Sequence, residues 1–176
     1  LRRNVVTLEN PVEYRIEHTT QTQLNAHHSL TFGQALRSLL RQDPDVALIG
    51  ELRDRDTVHS AIEAALTGHL VFSSLHAARA AAVPVRLREM GIEPYLIAHA
   101  LSGVIAQRLL TLLCSQCKNE RSLSEVEAEW ARERGLTVRR TFQAPGCAVC
   151  HYTGAEGRTV VAELKRKEKE SAAWLL

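Results

Sequence analysis

R-S-L-L-R-Q-D-P-D-V-A-L-I-G-E-L-R-D, from Arg37 to Asp54, decides how the rest of the chain is read. Asp43-Pro44 halts the helix before it, because the pyrrolidine ring fixes φ and drives the preceding residue out of the α region. Asp45 to Ile49 is then a short apolar run bounded by turn formers, the pattern of a strand buried in a parallel sheet. Glu51 falls at the carboxyl end of that strand, where ligands bind in open α/β sheets. Charged turns are common, so this stretch alone fits a solvated turn equally well.

Composition bounds the rest. A chain of 176 residues can bury one sizeable core with a small satellite. Hydrophobic residues make up 45% and charged residues 24%, both globular values. With 22 Lys and Arg against 20 Asp and Glu, the net charge of +2 gives no electrostatic argument for nucleic acid. No apolar run approaches the roughly 20 residues that a membrane-spanning helix needs. The sequence starts at Leu1 with neither Met nor a signal-like apolar stretch, so no export signal is expected and a piece of something longer is. Four Cys in two C-x-x-C pairs, without a secretory context, favour metal over disulfides.

Upstream, Asn4 to Leu8 reads as a strand that delivers Glu9 and Glu13 on either side of Pro11. Residues 15–28 are polar and read as loop or irregular strand, with His18, His27 and His28 expected as exposed loop residues rather than metal ligands. Thr31 to Gln42 is an expected helix. Thr31 and Gln34 are spaced for a capping box, and Phe32, Ala35, Leu36, Leu39 and Leu40 form one apolar face. Arg37 and Arg41 share another face, where solvation and a reach toward phosphate fit the spacing equally. Asp56 is the expected cap of a second helix with a Val58, Ala61, Ile62, Ala65, Leu66 stripe and Gly68 past its end. His69 to His76 is then a strand with a His at each end. The alternation of strands and helices predicts a parallel, doubly wound sheet with Glu9, Glu51 and His76 at successive strand ends. Any one of these would be an ordinary strand terminus; three together form a candidate site.

From Ala77 the chain is small and apolar, with breaks expected at Pro84 and at Met90-Gly91. A single long helix is expected from Glu93 to Leu113, with Leu96, Ile97, Leu101, Val104, Ile105, Leu109 and Leu112 inward. Gln107 and Arg108 lie near its end, where a cation suits the helix dipole. At Cys114 the composition shifts. Cys114 and Cys117, with Cys147 and Cys150, can give four thiolates to one tetrahedral Zn²⁺, a closed structural site with no place for a catalytic water. His151 is expected to be a bystander, and Ser124 to Arg134 a helix between the pairs.

E-N-P-V-E-Y (Glu9–Tyr14), L-R-Q-D-P-D-V-A-L-I-G-E-L-R-D (Leu40–Asp54), A-A-L-T-G-H-L-V-F-S-S-L-H (Ala64–His76), A-Q-R-L (Ala106–Leu109) and the paired C-x-x-C occur in this order. Together, from about Val5 to Glu163, they resemble the secretion ATPases that drive type II secretion and type IV pilus assembly. The resemblance implies an α/β, RecA-like P-loop NTPase fold, a three-layer parallel sheet that is partial here. It divides the chain into an ATPase core fragment (1–113), a tetracysteine zinc subdomain (114–158) like that of the loading and export members, and a C-terminal segment (159–176). It implies a homo-hexamer using ATP, Mg²⁺ and Zn²⁺. That hexamer would work with inner-membrane platform proteins, peripheral at the cytoplasmic face of the membrane, with no nucleic-acid partner.

By the same resemblance, Glu9, Asn10, Pro11 and Glu13 form an acidic box and Leu48 to Asp54 an atypical Walker B motif. Either Glu9 or Glu51 could orient and deprotonate the water; the resemblance favours Glu9 for the water and Glu51 for the metal shell. Thr67 to His76 would be a His box, with His69 and His76 sensing the γ-phosphate. Arg53, with Arg37 or Arg41, would supply charge across a subunit boundary, and Asp54 would complete the nucleotide site. Two departures bear on this. Asn10 stands where the acidic box normally has Asp, which removes a negative charge near the metal. The phosphate-cradling G-x-x-x-x-G-K-[ST] loop is absent, and the chain has no Gly-Lys pair. The run from Lys165 to Ser171 also departs from the family's helical continuation. The chain by itself is therefore expected to bind ATP poorly and not to turn it over. Two other classes stay open: a non-catalytic assembly scaffold, and a nucleic-acid-binding zinc ribbon whose Lys118, Arg121, Arg139 and Arg140 are offset by Glu120, Glu125, Glu127 and Glu129.

Overall fold

The computed structural model describes residues 3–24 and 31–167, and they form two compact units. The first holds the chain up to Ala106 together with the stretch from Glu163; the second is Gln107–Ala162.

In the first unit, β1 (Val5–Glu9), β2 (Thr20–Gln23), β3 (Val46–Ile49) and β4 (Leu70–Ser73) form one parallel sheet in the order β2-β1-β3-β4. Helix α1 (Phe32–Leu40) leads into β3, and α2 (Arg55–Leu66) leads into β4. The register sets Val6 beside Ala47 and Leu8 beside Ile49. These four are buried with Ala35, Leu36 and Leu39 of α1 and with Ala61 of α2. On the opposite face Leu48 pairs with Phe72, which is 54% exposed. Val58 and Ile62 of α2 enter a second cluster with Leu87, Ile92 and Ile97. Thus α2 carries apolar residues for two cores.

The local chemistry explains the boundaries. Thr31 and Gln34 make both bonds of the capping box. Asp43, at φ 50°, turns the chain just before Pro44, and Asn4 holds that turn by donating its amide to the carbonyls of Gln42 and Asp43. The cap of α2 is Asp54, not Asp56: Asp54 Oδ1 accepts from Thr57 N at 2.8 Å and from its hydroxyl at 3.0 Å. A cap of this kind stabilises a helix by about 1 kcal/mol. Asp56 sits in the first turn, where a carboxylate favours the dipole. Gly68, at φ 103°, occupies the left-handed position past the helix end, as expected.

Two expectations are corrected downstream. Pro84 does not break a segment; it lies in the first turn of α3 (Val83–Glu89), where its missing N–H costs nothing. The long helix from Glu93 to Leu113 is instead α4 (Pro94–Ala100) followed by β5 (Gly103–Leu113). Leu101 is already extended at ψ 110°, and Gly103 comes within 3.3 Å of the Lys165 carbonyl where a Cβ would stand. β5 pairs with β8 (Ala155–Arg166) in a two-stranded ribbon, and this long-range partner overrides the helical spacing of the leucines. Gln107 and Arg108 therefore lie in a strand. Among the described residues no helix is long and apolar enough to cross a membrane.

The second unit adds β6 (Asn119–Arg121), antiparallel to β7 (Thr141–Gln143), and α5 (Glu125–Glu133). Ser124 and Glu127 form another capping box. The Arg121 guanidinium, bonded to both Glu127 oxygens, holds that carboxyl down at about 2.

Candidate active site and metal centre

Parallel pairing of neighbours in the order β1, β3, β4 brings their carboxyl ends to one edge. Gly50 closes the gap: its N–H donates to Leu8 O at 2.8 Å, and a Cβ there would stand 3.3 Å from that oxygen and 3.4 Å from Glu9 Cα. The next connection is also stitched, Ser73 Oγ donating to Ile49 O at 2.7 Å and Ser74 Oγ to Gly50 O at 2.6 Å. These bonds tie the segments that carry Glu9, Glu51 and His76.

Glu51, with a side chain 20% exposed, has both oxygens engaged. His76 Nε2 lies 3.0 Å from Oε1, and Arg53 Nε donates to Oε2 at 2.6 Å. His76 itself is 93% exposed, so one face of the imidazole remains open to a ligand. Glu9 accepts Thr7 Oγ1 at 2.5 Å and Gln21 Nε2 at 3.0 Å, both on Oε1. The group therefore offers two carboxylates, an imidazole and a guanidinium at one sheet edge.

Other sequence candidates stand elsewhere. His69 precedes β4 and His76 follows it, so about 13 Å of strand, at roughly 3.3 Å per residue, lies between them. His69 Nδ1 sits 3.0 Å from Ala64 O, closing the end of α2. Arg41 is the C-cap of α1 and precedes β3, at the edge opposite Glu51. Arg37 donates to Ser60 Oγ at 3.2 Å, from α1 to α2. The Asp54 carboxylate is committed to its helix cap. Asn10 and Glu13 are exposed in the connection after β1, and so is His18, at φ 60°. His27 and His28 lie outside the described residues. Thr7 and Gln21 were not legible as site residues; the one available signal was the alternating Thr20-Gln21-Thr22-Gln23, a strand without apolar content.

In the second unit the four Cys Sγ atoms lie within 4.8 Å of one another. Cys147 and Cys150 are 3.8 Å apart, and the Cys114–Cys147 and Cys117–Cys150 separations are both 4.0 Å. Tetrahedral Zn²⁺ with Zn–S bonds of about 2.3 Å requires sulfurs about 3.8 Å apart. The set fits, and it is far from the roughly 2.05 Å of a disulfide. Cys147 N and Gly154 N both point at Cys150 Sγ, at 3.2 and 3.3 Å. These N–H groups, Cys147's first, draw the Cys150 thiol down to about 6, while burial pushes Cys117 up to about 12. The hairpin needs Gly154, at φ 69°: a Cβ there would stand 2.3 Å from Ala144 O. His151 turns the chain at φ 51° outside the sulfur cluster.

The model of the family described as "Type II/IV secretion system protein" matches residues 1–175. The chain is 46% identical over 163 residues to the type II secretion system protein E of Dickeya dadantii, covering 92% of this chain and 32% of that protein. It is 46% identical over 167 residues to the type IV pilus assembly ATPase PilB of Thermus thermophilus, covering 92% of this chain and 18% of that protein. Among solved structures, the pilus retraction motor PilT with bound ADP is similar at TM-score 0.55 and 36% identity, over 62% of this chain and 34% of that one. The chain thus spans about a third or less of the length of these proteins.

Proposed function

The chain belongs to the type II/IV secretion system protein family, and from that premise we propose that it is the acidic-box, Walker B and His-box part of an ATPase serving type II protein secretion or type IV pilus assembly. The observation that carries this is Glu51 held between His76 and Arg53, beside the strand end that bears Glu9.

Phosphoryl transfer asks a protein for in-line water, a metal and positive charge on the phosphate oxygens, more than for covalent help. Glu9 orients and deprotonates the water. Glu51 would be the carboxylate that holds the metal, at an oxygen now bonded to His76 or Arg53. Bound Mg²⁺ would neutralise charge on the β- and γ-phosphates. His76, released from Glu51, and Arg53 then face the γ-phosphate. Glu13 and Asn10 line the acidic side, where Asn10 accepts a hydrogen bond without adding charge. His69, bonded to Ala64 O at the end of α2, is not among the groups proposed to touch the nucleotide. In a homo-hexamer, Arg37 and Arg41 are the charges a neighbouring subunit would use. Cys114, Cys117, Cys147 and Cys150 would hold Zn²⁺, which would fasten the second unit and take no part in hydrolysis. The assembly docks on inner-membrane platform proteins at the cytoplasmic face, and nucleic acid is not a partner in this reading.

The phosphate loop is not in this chain, so turnover belongs to a protein in which one precedes it. The test joins this chain behind a segment that bears a G-x-x-x-x-G-K-[ST] loop. Mg²⁺-dependent ATP hydrolysis is expected from the joined protein and none from the chain by itself. An inactive, well-folded joined protein would favour the scaffold reading, and hydrolysis by the chain alone would refute the proposed division of labour.

A further inference from the structure

The geometry points to Gln21 as the positioning residue that aims the Glu9 carboxylate; we infer this from one side-chain amide that holds three groups at once, and it rests on the role proposed for Glu9. The register of β1 and β2 sets Thr7 beside Gln21, with Glu9 two residues further along the same face of β1. Gln21 Nε2 donates to Glu9 Oε1 at 3.0 Å and to Tyr14 O at 2.9 Å, while its Oε1 accepts from Ile16 N at 2.8 Å. The amide can take only this orientation, because the reverse would face its oxygen to a carboxylate and a carbonyl and its NH₂ to an N–H. Thr7, only 2% exposed, adds its hydroxyl to the same Glu9 oxygen at 2.5 Å. Both donors thus grip the same oxygen, Oε1, of the carboxylate.

A general base must sit within about 3 Å of the proton it takes, and a misplacement of about 1 Å can cost about 100-fold. Loss of the Gln21 amide frees Glu9 to rotate and also releases the segment from Tyr14 to Ile16. The two effects separate chemically. Gln21→Glu keeps an acceptor for Ile16 N but loses both donors; Gln21→Ala loses everything.

The experiment is a double-mutant cycle in the phosphate-loop-bearing protein. Gln21→Ala is expected to lower kcat about 10- to 100-fold with little change in KM for ATP. Gln21→Glu should fall at least as far, and neither should reduce activity further in a Glu9→Ala background. An undiminished kcat in Gln21→Ala, recovery in Gln21→Glu, or an undiminished loss on top of Glu9→Ala would each overturn the inference. Substantial turnover by Glu9→Ala alone would instead overturn the proposed role of Glu9. A second measurement does not depend on activity. In the chain itself, NMR should show slow solvent exchange of the Gln21 side-chain NH₂ and the Ile16 amide. Exchange at the rate of a free glutamine would overturn the positioning whatever the catalytic result.

Discussion

Glu51→Gln is expected to lower ATP turnover of the phosphate-loop-bearing protein by about 10²- to 10⁴-fold, the range for removing one acid–base or charge-stabilising group. The substitution preserves shape and leaves the backbone stitching around Gly50 and Ser74 untouched. What it removes is negative charge. His76 and Arg53 lose the anion that orders them, and the proposed metal shell would lose a ligand. Because Glu51 sits at the strand end rather than in the core, thermal unfolding should change little. The loss should therefore appear in kcat and not in the yield of folded protein. Turnover close to the unsubstituted level would remove Glu51 from the mechanism.

The second large effect concerns the tetracysteine unit. Within Gln107–Ala162 the buried apolar residues are Cys114, Ala131 and Cys150, while Leu109, Leu110, Val126, Trp130, Leu136 and Val160 are exposed. So small a core cannot offset the conformational entropy of ordering the segment. Structural zinc contributes about 10–16 kcal/mol in small metal-dependent domains at neutral pH. Elemental analysis should find one Zn²⁺ per chain, and Cys150→Ser or a strong chelator should remove it. The segment from Gln107 to Ala162 should then become sensitive to protease, while the parallel sheet of the first unit stays intact. A metal-free second unit with full protease resistance would contradict this account.

How much of this was legible depended on how local the determinant was. The capping box at Thr31, the stop at Pro44 and the paired C-x-x-C are decided within a few residues, and they read correctly. The helix expected from Glu93 to Leu113 failed because Leu, Ile and Val at those spacings serve a helix or a ribbon, and the choice rests with β8, far along the chain. The caps show a smaller version of the problem: Asp54 and Asp56 both suit a helix start, and only the Thr57 bonds tell which one is the cap. His69 and His76 look like a pair in sequence, yet a strand between them sends them to opposite ends of β4. Gln21 was silent because β2 has no apolar alternation, so its strand character, and with it the contact to Glu9, comes from pairing with β1.

The position of the nucleotide's metal distinguishes one end of β4 from the other. In the phosphate-loop-bearing protein, Mn²⁺ with a non-hydrolysable ATP analogue should broaden the NMR signals of Glu9, Glu51 and His76 strongly and those of His69 far less, since relaxation falls steeply with distance from the ion. Equal broadening of the two histidines, or stronger broadening at His69, would contradict the proposed site.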